Sequence, residues 1–168
     1  MRIAVMSDTH DNIWNLAEAL RLVNEEQAAV LLFLGDFCAP FTLAQIAEGF
    51  AGPIHAVFGN NDGDPFLLSQ VAARFAHVTL HGQYAELEYG GRRIAINHYP
   101  DIARRIAESG VFDAVFYGHD HTRHSEMVGR TLLANPGEVM GRFGEPTFGV
   151  YETESGTFTH VHIPHNHA

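Results

Sequence analysis

Asp8, His10, Asp36, Asn60, His98, His119 and His121 are the residues of this chain whose types and placement suggest chemistry. They offer imidazole nitrogens, carboxylates and one amide oxygen, the groups that ligate divalent metals. Each follows a short apolar run and so stands at the end of an expected strand, where open α/β sheets place their ligands. Asp8 and His10 are two apart, and in extended chain they would point to the same side and reach one ion. Taken singly, every member has a plainer reading. Gly35-Asp36 reads as a turn, Asn60-Asn61 as an Asx-turn, His98 as a satisfied, partly buried histidine, and His119 with His121 as the rim of a loop. Five such groups at five strand ends are hard to obtain from turns alone. No Ser-His-Asp or Cys-His arrangement stands out, which points to metal-assisted chemistry without a side-chain nucleophile.

Periodicity gives the elements that must carry these residues. Ile3 to Met6 is an apolar run too short for a helix and rich in branched residues, hence a buried strand. From Asn12 to Glu26, Ile13, Leu16, Leu20 and Val23 recur at helical spacing, with Asp11 or Asn12 as the expected N-cap. Ala29 to Leu34 reads as a strand buried on both faces, Phe41 to Phe50 as a helix, Pro53 to Phe58 as a strand and Phe66 to Phe75 as a helix. Strand and helix in alternation signal parallel βαβ units. The rhythm then changes. Val78 to Leu80, Tyr84 to Tyr89 and Arg92 to Asn97 read as short strands, with Gly90-Gly91 as a two-residue hairpin turn. A helix over Asp101 to Ser109 and a strand over Ala114 to Tyr117 follow, and strands alternate with turns from Ser125 to Ile163. The expectation is one α/β domain over residues 1–168, with two stacked mixed sheets flanked by helices.

Composition sets bounds on function. No apolar run approaches the ~20 residues of a membrane span, and Arg2 heads no signal-like segment. The single cysteine, Cys38, rules out an internal disulfide and fits a reducing cytoplasm. A net charge of −10 argues against a broad grip on a nucleic-acid polymer. Self-association is left open. The 12 histidines are the oddity, because histidine is the commonest metal ligand.

In order, Asp8-Thr9-His10, Gly35-Asp36, Gly59-Asn60-Asn61-Asp62, His98 and Gly118-His119-Asp120-His121 form the set D-x-H, G-D, G-N-x-D, H and G-H-x-H. This set resembles that of the calcineurin-like metallophosphoesterases, over nearly the whole chain. Asn135-Pro136-Gly137-Glu138 resembles the N-P-G-S turn of the family's small, single-domain bacterial and archaeal phosphodiesterase branch. The resemblance implies a four-layer α-β-β-α sandwich and a pair of metal ions. Asp8, His10, Asp36 and His121 would hold one ion and Asp36, Asn60, His98 and His119 the other, with Asp36 bridging. The imidazoles among these ligands favour Mn, Ni, Co, Fe or Zn over Mg or Ca, with Mn the first expectation. The implied activity is hydrolysis of a small phosphodiester by a metal-bridging hydroxide, since a metal can lower a bound water's pKa from about 16 to about 7. His119, Asn60 and Asp62 are the expected catalytic residues, with Asp62 and Asp120 orienting ligand histidines.

The chain departs from the family at two positions. Asn61 stands where many members carry a histidine, and it cannot deliver a proton, so unactivated leaving groups should be poorer substrates. Glu138 replaces the usual serine and is expected to be structural and harmless. Rival readings are a phosphomonoesterase and a non-catalytic scaffold on the same fold; the intact ligand set argues against the scaffold. Cys38 reads as a small buried hydrophobe. His160 and His162 read as a solvent-facing strand edge, with His165 and His167 on a frayed tail. Phe37, Phe41, Phe66, Tyr99 and Arg123 flank the motifs and are candidates to line a substrate cleft.

Overall fold

Alternation along each strand decides which layer a side chain joins. In β1 (Arg2–Met6), Ala4 and Met6 pack with helices on one side, while Ile3 and Val5 face a second sheet on the other. The computed structural model describes residues 1–164. Its first sheet is six-stranded, in the order β11 (Thr157–His162), β10 (Thr147–Glu152), β1, β2 (Val30–Phe33), β3 (Ile54–Ala56), β4 (Val78–Leu80). β1 to β4 run parallel, and β10 and β11 are antiparallel additions. The second sheet is five-stranded, in the order β5 (Tyr84–Tyr89), β6 (Arg92–Asn97), β7 (Ala114–Phe116), β9 (Thr131–Asn135), β8 (His124–Val128). Here β6, β7 and β9 are parallel.

Three apolar layers hold the stack together. α1 (Ile13–Glu25), α2 (Pro40–Gly49) and α3 (Pro65–Ala72) bury Leu16, Leu20, Leu43, Ile46 and Leu68 against Met6 and Phe33. Between the sheets lie Ile3, Val5, Leu32, Ile94, Ile96 and Phe116. α4 (Pro100–Glu108) closes the far side with Ala103 and Ala107 on Val115 and Leu133. The result is the expected α-β-β-α sandwich. Among the described residues, no helix is long and apolar enough to cross a membrane.

Two local expectations are corrected. α2, α3 and α4 each begin on a proline, one residue before the start read from the sequence, because the missing N–H is harmless at the first helical position. His160 does not face solvent; it is half-buried, and its Nε2 donates to the Asn135 carbonyl at 2.8 Å, tying an edge of one sheet to the other. Asn12 is the α1 cap, accepting from Asn15 N at 3.1 Å. Asp11 instead holds the start of α2, accepting from Ala39 N at 2.9 Å and Thr42 Oγ1 at 2.6 Å. His165 and His167 lie outside the described residues.

A polar chain crosses the open edge of the inter-sheet layer. His55 on β3 shares a hydrogen bond of 2.8 Å with His81 and another of 2.6 Å with the Tyr89 hydroxyl. Burial pushes both histidines below their ordinary pKa, with mutual repulsion adding to the effect at His55. The fold therefore favours neutral rings. Their contribution is intact above about pH 6.5 and is lost as pH falls through the lowered folded-state values, because the unfolded chain takes up protons first. We expect His55→Asn to lose less thermal stability than wild type between about pH 7.5 and 5. Parallel pH profiles of melting temperature in the two proteins would contradict this.

Candidate metal centre

Parallel strands put their carboxyl ends on the same side, and five of them deliver the site. Asp8 and His10 follow β1, Asp36 follows β2, Asn60 follows β3, His98 follows β6 and His119 with His121 follow β7. The site therefore straddles both sheets at one end of the sandwich. Backbone hydrogen bonds stitch these loops together: Asp8 N donates to Gly35 O at 3.1 Å, His10 N to Asp36 O at 3.0 Å and Gly118 N to His98 O at 3.0 Å. Two glycines make room. A Cβ on Gly59 would overlap Asp36 Oδ1, and one on Gly118 would overlap Ser7 Oγ and crowd Asp8 Oδ2.

The expectation that Asp8 and His10 share a side through extended backbone is corrected. Asp8, His10, Asp36, His119 and His121 all have positive φ, between 44° and 75°. This left-handed conformation is uncommon for residues with a Cβ, and such strain persists where the surroundings impose it, often at functional sites. The side chains that follow β1, β2 and β7 converge because the chain coils sharply there.

The convergence is close. His10 Nε2 lies 3.7 Å from Asp8 Oδ1 and 3.4 Å from Asp36 Oδ2, and His121 Nε2 lies 3.5 Å from Asp8 Oδ1. On the other flank, His98 Nε2 is 3.6 Å from Asp36 Oδ2. Asn60 Oδ1 is 3.0 Å from His98 Nε2 and 2.8 Å from His119 Nδ1. Separations of 3.4–3.7 Å are long for N–H···O hydrogen bonds. They suit neighbouring ligands of one ion, which at ~2.1 Å each stand about 3–3.5 Å apart. Among the described residues, Asp8 Oδ1 and His10 Nε2 are buried and have no hydrogen-bond partner. Buried polar atoms are almost always satisfied, and a cation between these two would satisfy both. The residues present fit a metal.

The charges agree. Burial works against ionised Asp36, but His98 and both nitrogens of Asn61 outweigh it and hold the carboxyl well below the usual range. The neighbouring Asp8 carboxylate raises the His10 pKa against burial. Burial lowers that of His98 and the Asp36 carboxylate beside it raises it, with a net rise. These imidazoles sit in a negative field that favours cations, protons or metals alike.

Several flanking residues take other roles. Asp62 does not orient a histidine: its carboxylate accepts from the backbone N–H groups of Gly59 (2.6 Å), Cys38 (2.8 Å) and Asp36 (3.1 Å), pinning two loops together. Asp120 accepts from Thr122 N at 3.0 Å and Asn135 Nδ2 at 2.7 Å, which is turn chemistry. Glu138 is the residue sequence reasoning underrated, because its Oε2 accepts from His121 Nδ1 at 2.6 Å. Cys38 is half-buried, with Sγ 3.6 Å from His10 Nδ1; burial and the surrounding carboxylates push its pKa up to about 12 and keep it a thiol. Phe37 is core, packed on Phe33 and Phe58. Phe41 and Phe66 are exposed, and the Tyr99 ring lies 5.1 Å from His98 and 5.2 Å from His119. Arg123 is exposed.

Comparison with known proteins gives the family and the fold. The family model for the calcineurin-like phosphoesterase superfamily domain matches residues 1–156. A phosphodiesterase from Methanocaldococcus jannaschii is 31% identical over 164 residues, covering 96% of this chain and 98% of the relative. A solved archaeal phosphodiesterase superposes with a TM-score of 0.89 at 30% identity, covering 96% of this chain and 99% of that one. The Escherichia coli phosphoesterase Yfce (TM-score 0.68, 18% identity, covering 97% of this chain and 100% of that one) shares the fold. So does Vps29 of Entamoeba histolytica (TM-score 0.69, 17% identity, covering 96% and 99%). The matched domain spans the five strand ends that carry the site, so the chain belongs to the calcineurin-like phosphoesterase superfamily and is a hydrolase of phosphoric esters.

Proposed function

We propose that the chain is a dinuclear metal-dependent phosphodiesterase that hydrolyses a small phosphodiester. One observation carries this reading. The buried Asp36 carboxylate lies between two clusters of donors, with Oδ2 3.4 Å from His10 Nε2 and 3.6 Å from His98 Nε2. A carboxylate so placed can bridge two cations. Asp8, His10, Asp36 and His121 hold the first and Asp36, Asn60, His98 and His119 the second. The donor set suits Mn, with Ni, Co, Fe or Zn as substitutes. Two such ions, when bound, supply an activated water as nucleophile and a clamp for the phosphate oxygens.

The chain's own residues do the rest. Asn60 and His119 are exposed at the mouth, where an incoming phosphate would meet them. Asn61 steadies the shared carboxylate, donating from N to Asp36 Oδ1 at 2.8 Å and from Nδ2 to Oδ2 at 2.7 Å. It has no proton to give a departing alkoxide, so the reading favours diesters whose leaving group departs as a stable anion. A shallow, open depression lined by Asn61, Cys38, Pro40 and Leu67 adjoins the centre, where one ester arm could lie. Cyclic nucleotides, glycerophosphodiesters and nucleotide-like diesters are the candidate classes by size, but those that expel a sugar or glycerol alkoxide should react more slowly than an aryl diester. A scaffold role is disfavoured, because a non-catalytic surface needs neither the ligand set nor its strained backbone.

Removing metal with a chelator should abolish hydrolysis of an aryl phosphodiester, and Mn should restore it better than Mg; full activity in chelator would sink the reading. Asp36→Asn should weaken both ions and cost more than the ~10–100-fold typical of an outer partner, whereas His10→Ala should mainly cost one ion. Identical loss of one ion in both variants would show the ligands are wrongly grouped. Asn61→His should raise kcat/KM for aryl monoesters relative to aryl diesters, within the ~10²–10⁴-fold range of positioned acid–base groups. An unchanged ratio at equal metal content would remove Asn61 from the account of substrate preference.

A further inference from the structure

Glu138 closes the Asn135-Pro136-Gly137 turn after β9, and its side chain is only 1% exposed. A buried carboxylate needs donors, and this one has them all close at hand. Oε2 accepts from His121 Nδ1 at 2.6 Å, and Oε1 accepts from the N–H groups of Phe143 at 2.6 Å and Gly144 at 2.9 Å. The backbone beneath it is fixed just as firmly. Val139 N donates to Ser7 O at 3.1 Å, Met140 N to Asp8 O at 3.0 Å and Asn15 Nδ2 to Val139 O at 3.0 Å. The carboxylate is thereby locked to the β1 extension that carries Asp8 and to the start of α1.

This contact has a chemical consequence at the metal centre. An ionised carboxylate only accepts, so the His121 ring proton sits on Nδ1 and the Nε2 lone pair is free. That Nε2 is the atom 3.5 Å from Asp8 Oδ1, inside the first cluster of donors. The other imidazoles have weaker backing. His98 Nδ1 donates to the neutral Leu34 carbonyl at 2.7 Å, and His10 Nδ1 meets the Cys38 thiol at 3.6 Å. Among the ring nitrogens turned away from the centre in the described residues, only that of His121 is backed by a carboxylate. Such backing fixes the tautomer and ring orientation and makes the imidazole a stronger donor. Phe143, held by the same carboxylate, sets its ring edge-on to His121 at 5.1 Å between centroids.

We propose that Glu138 is a positioning residue of the metal centre: it fixes His121 with Nε2 aimed at the ion held by Asp8, His10 and His121, and it tightens that ion. The inference rests on the two-ion reading above but concerns a residue outside both ligand sets. A serine here would be two carbons shorter and uncharged.

The test compares wild type, Glu138→Ser and Glu138→Gln, each stripped of metal and titrated with Mn by calorimetry. His98→Ala, which removes a ligand of the other ion, assigns the steps. Glu138→Ser should weaken the His121-dependent step ~10–100-fold and leave the other unchanged, with Glu138→Gln in between because it keeps an acceptor but not the charge. A second readout needs no metal. Nitrogen NMR of the stripped proteins at alkaline pH should show the His121 proton on Nδ1 in wild type and a population shifted toward Nε2 in Glu138→Ser. Unchanged affinity together with an unchanged tautomer would overturn the role of Glu138. Wild type that binds no ion, with the tautomer shift still present, would overturn the two-ion reading while leaving the hydrogen-bond assignment standing. Should Glu138→Ser fold poorly by circular dichroism, Glu138→Gln carries both measurements.

Discussion

Two carboxylates buried beside each other are the constraint on which the site depends. Asp8 and Asp36 are 0% and 1% exposed, and their ligand atoms and that of His98 lie within 4.8 Å of one another. Taking such charges out of water costs several kcal/mol each unless positive charge or donors replace the lost hydration. The protein supplies part of this. Asn61 and His98 serve Asp36, and His119 N donates to Asp8 Oδ2 at 3.0 Å. Among the described residues Asp8 Oδ1 still has no hydrogen-bond partner, and the His121 and His10 Nε2 atoms stand 3.5 and 3.7 Å away. In the proposed two-ion reading, divalent cations would complete the balance that protein donors leave short. Metal binding and the integrity of these loops are then one equilibrium, since ions that bind only the folded chain stabilise it.

The sandwich explains why this balance can be held. Strand ends from two sheets meet at one edge, so five loops that are distant in sequence share one small volume. Their backbones are forced into left-handed turns at Asp8, His10, Asp36, His119 and His121, and the cost is borne by the apolar layers on either side. Rigid strands fix where the candidate ligands start, and hydrogen bonds accepted by Asp62 and Glu138 fix where they end.

Much of this was legible in the sequence, for physical reasons that differ by residue. Continuous apolar runs such as Val30–Phe33, too short for helices and bounded by turn residues, read as strands covered on both faces, so the layers followed from them. The candidate ligands stood out because such groups recur at five strand ends, although any one alone reads as turn chemistry. What escaped was set by tertiary contact. Asp62 and Asn61 lie in one run of turn residues, yet one binds backbone and the other the shared carboxylate, a distinction local sequence does not encode. Glu138 lies 17 residues from its partner His121 and reads from sequence alone as a structural, harmless change in a turn. His160 read as an exposed strand position because its acceptor, the Asn135 carbonyl, belongs to the other sheet. Positive φ at residues other than glycine could not be foreseen either, beyond the general tolerance of Asp and His for it.

The central claim is that Asp36 joins two ions, and the most direct measurement is the electron paramagnetic resonance spectrum of the fully Mn-loaded protein. Ions bridged by one carboxylate about 3.5–4 Å apart should be exchange-coupled, with compressed hyperfine splitting that disappears in Asp36→Asn. The spectrum of magnetically isolated ions in the fully loaded wild type would contradict the account.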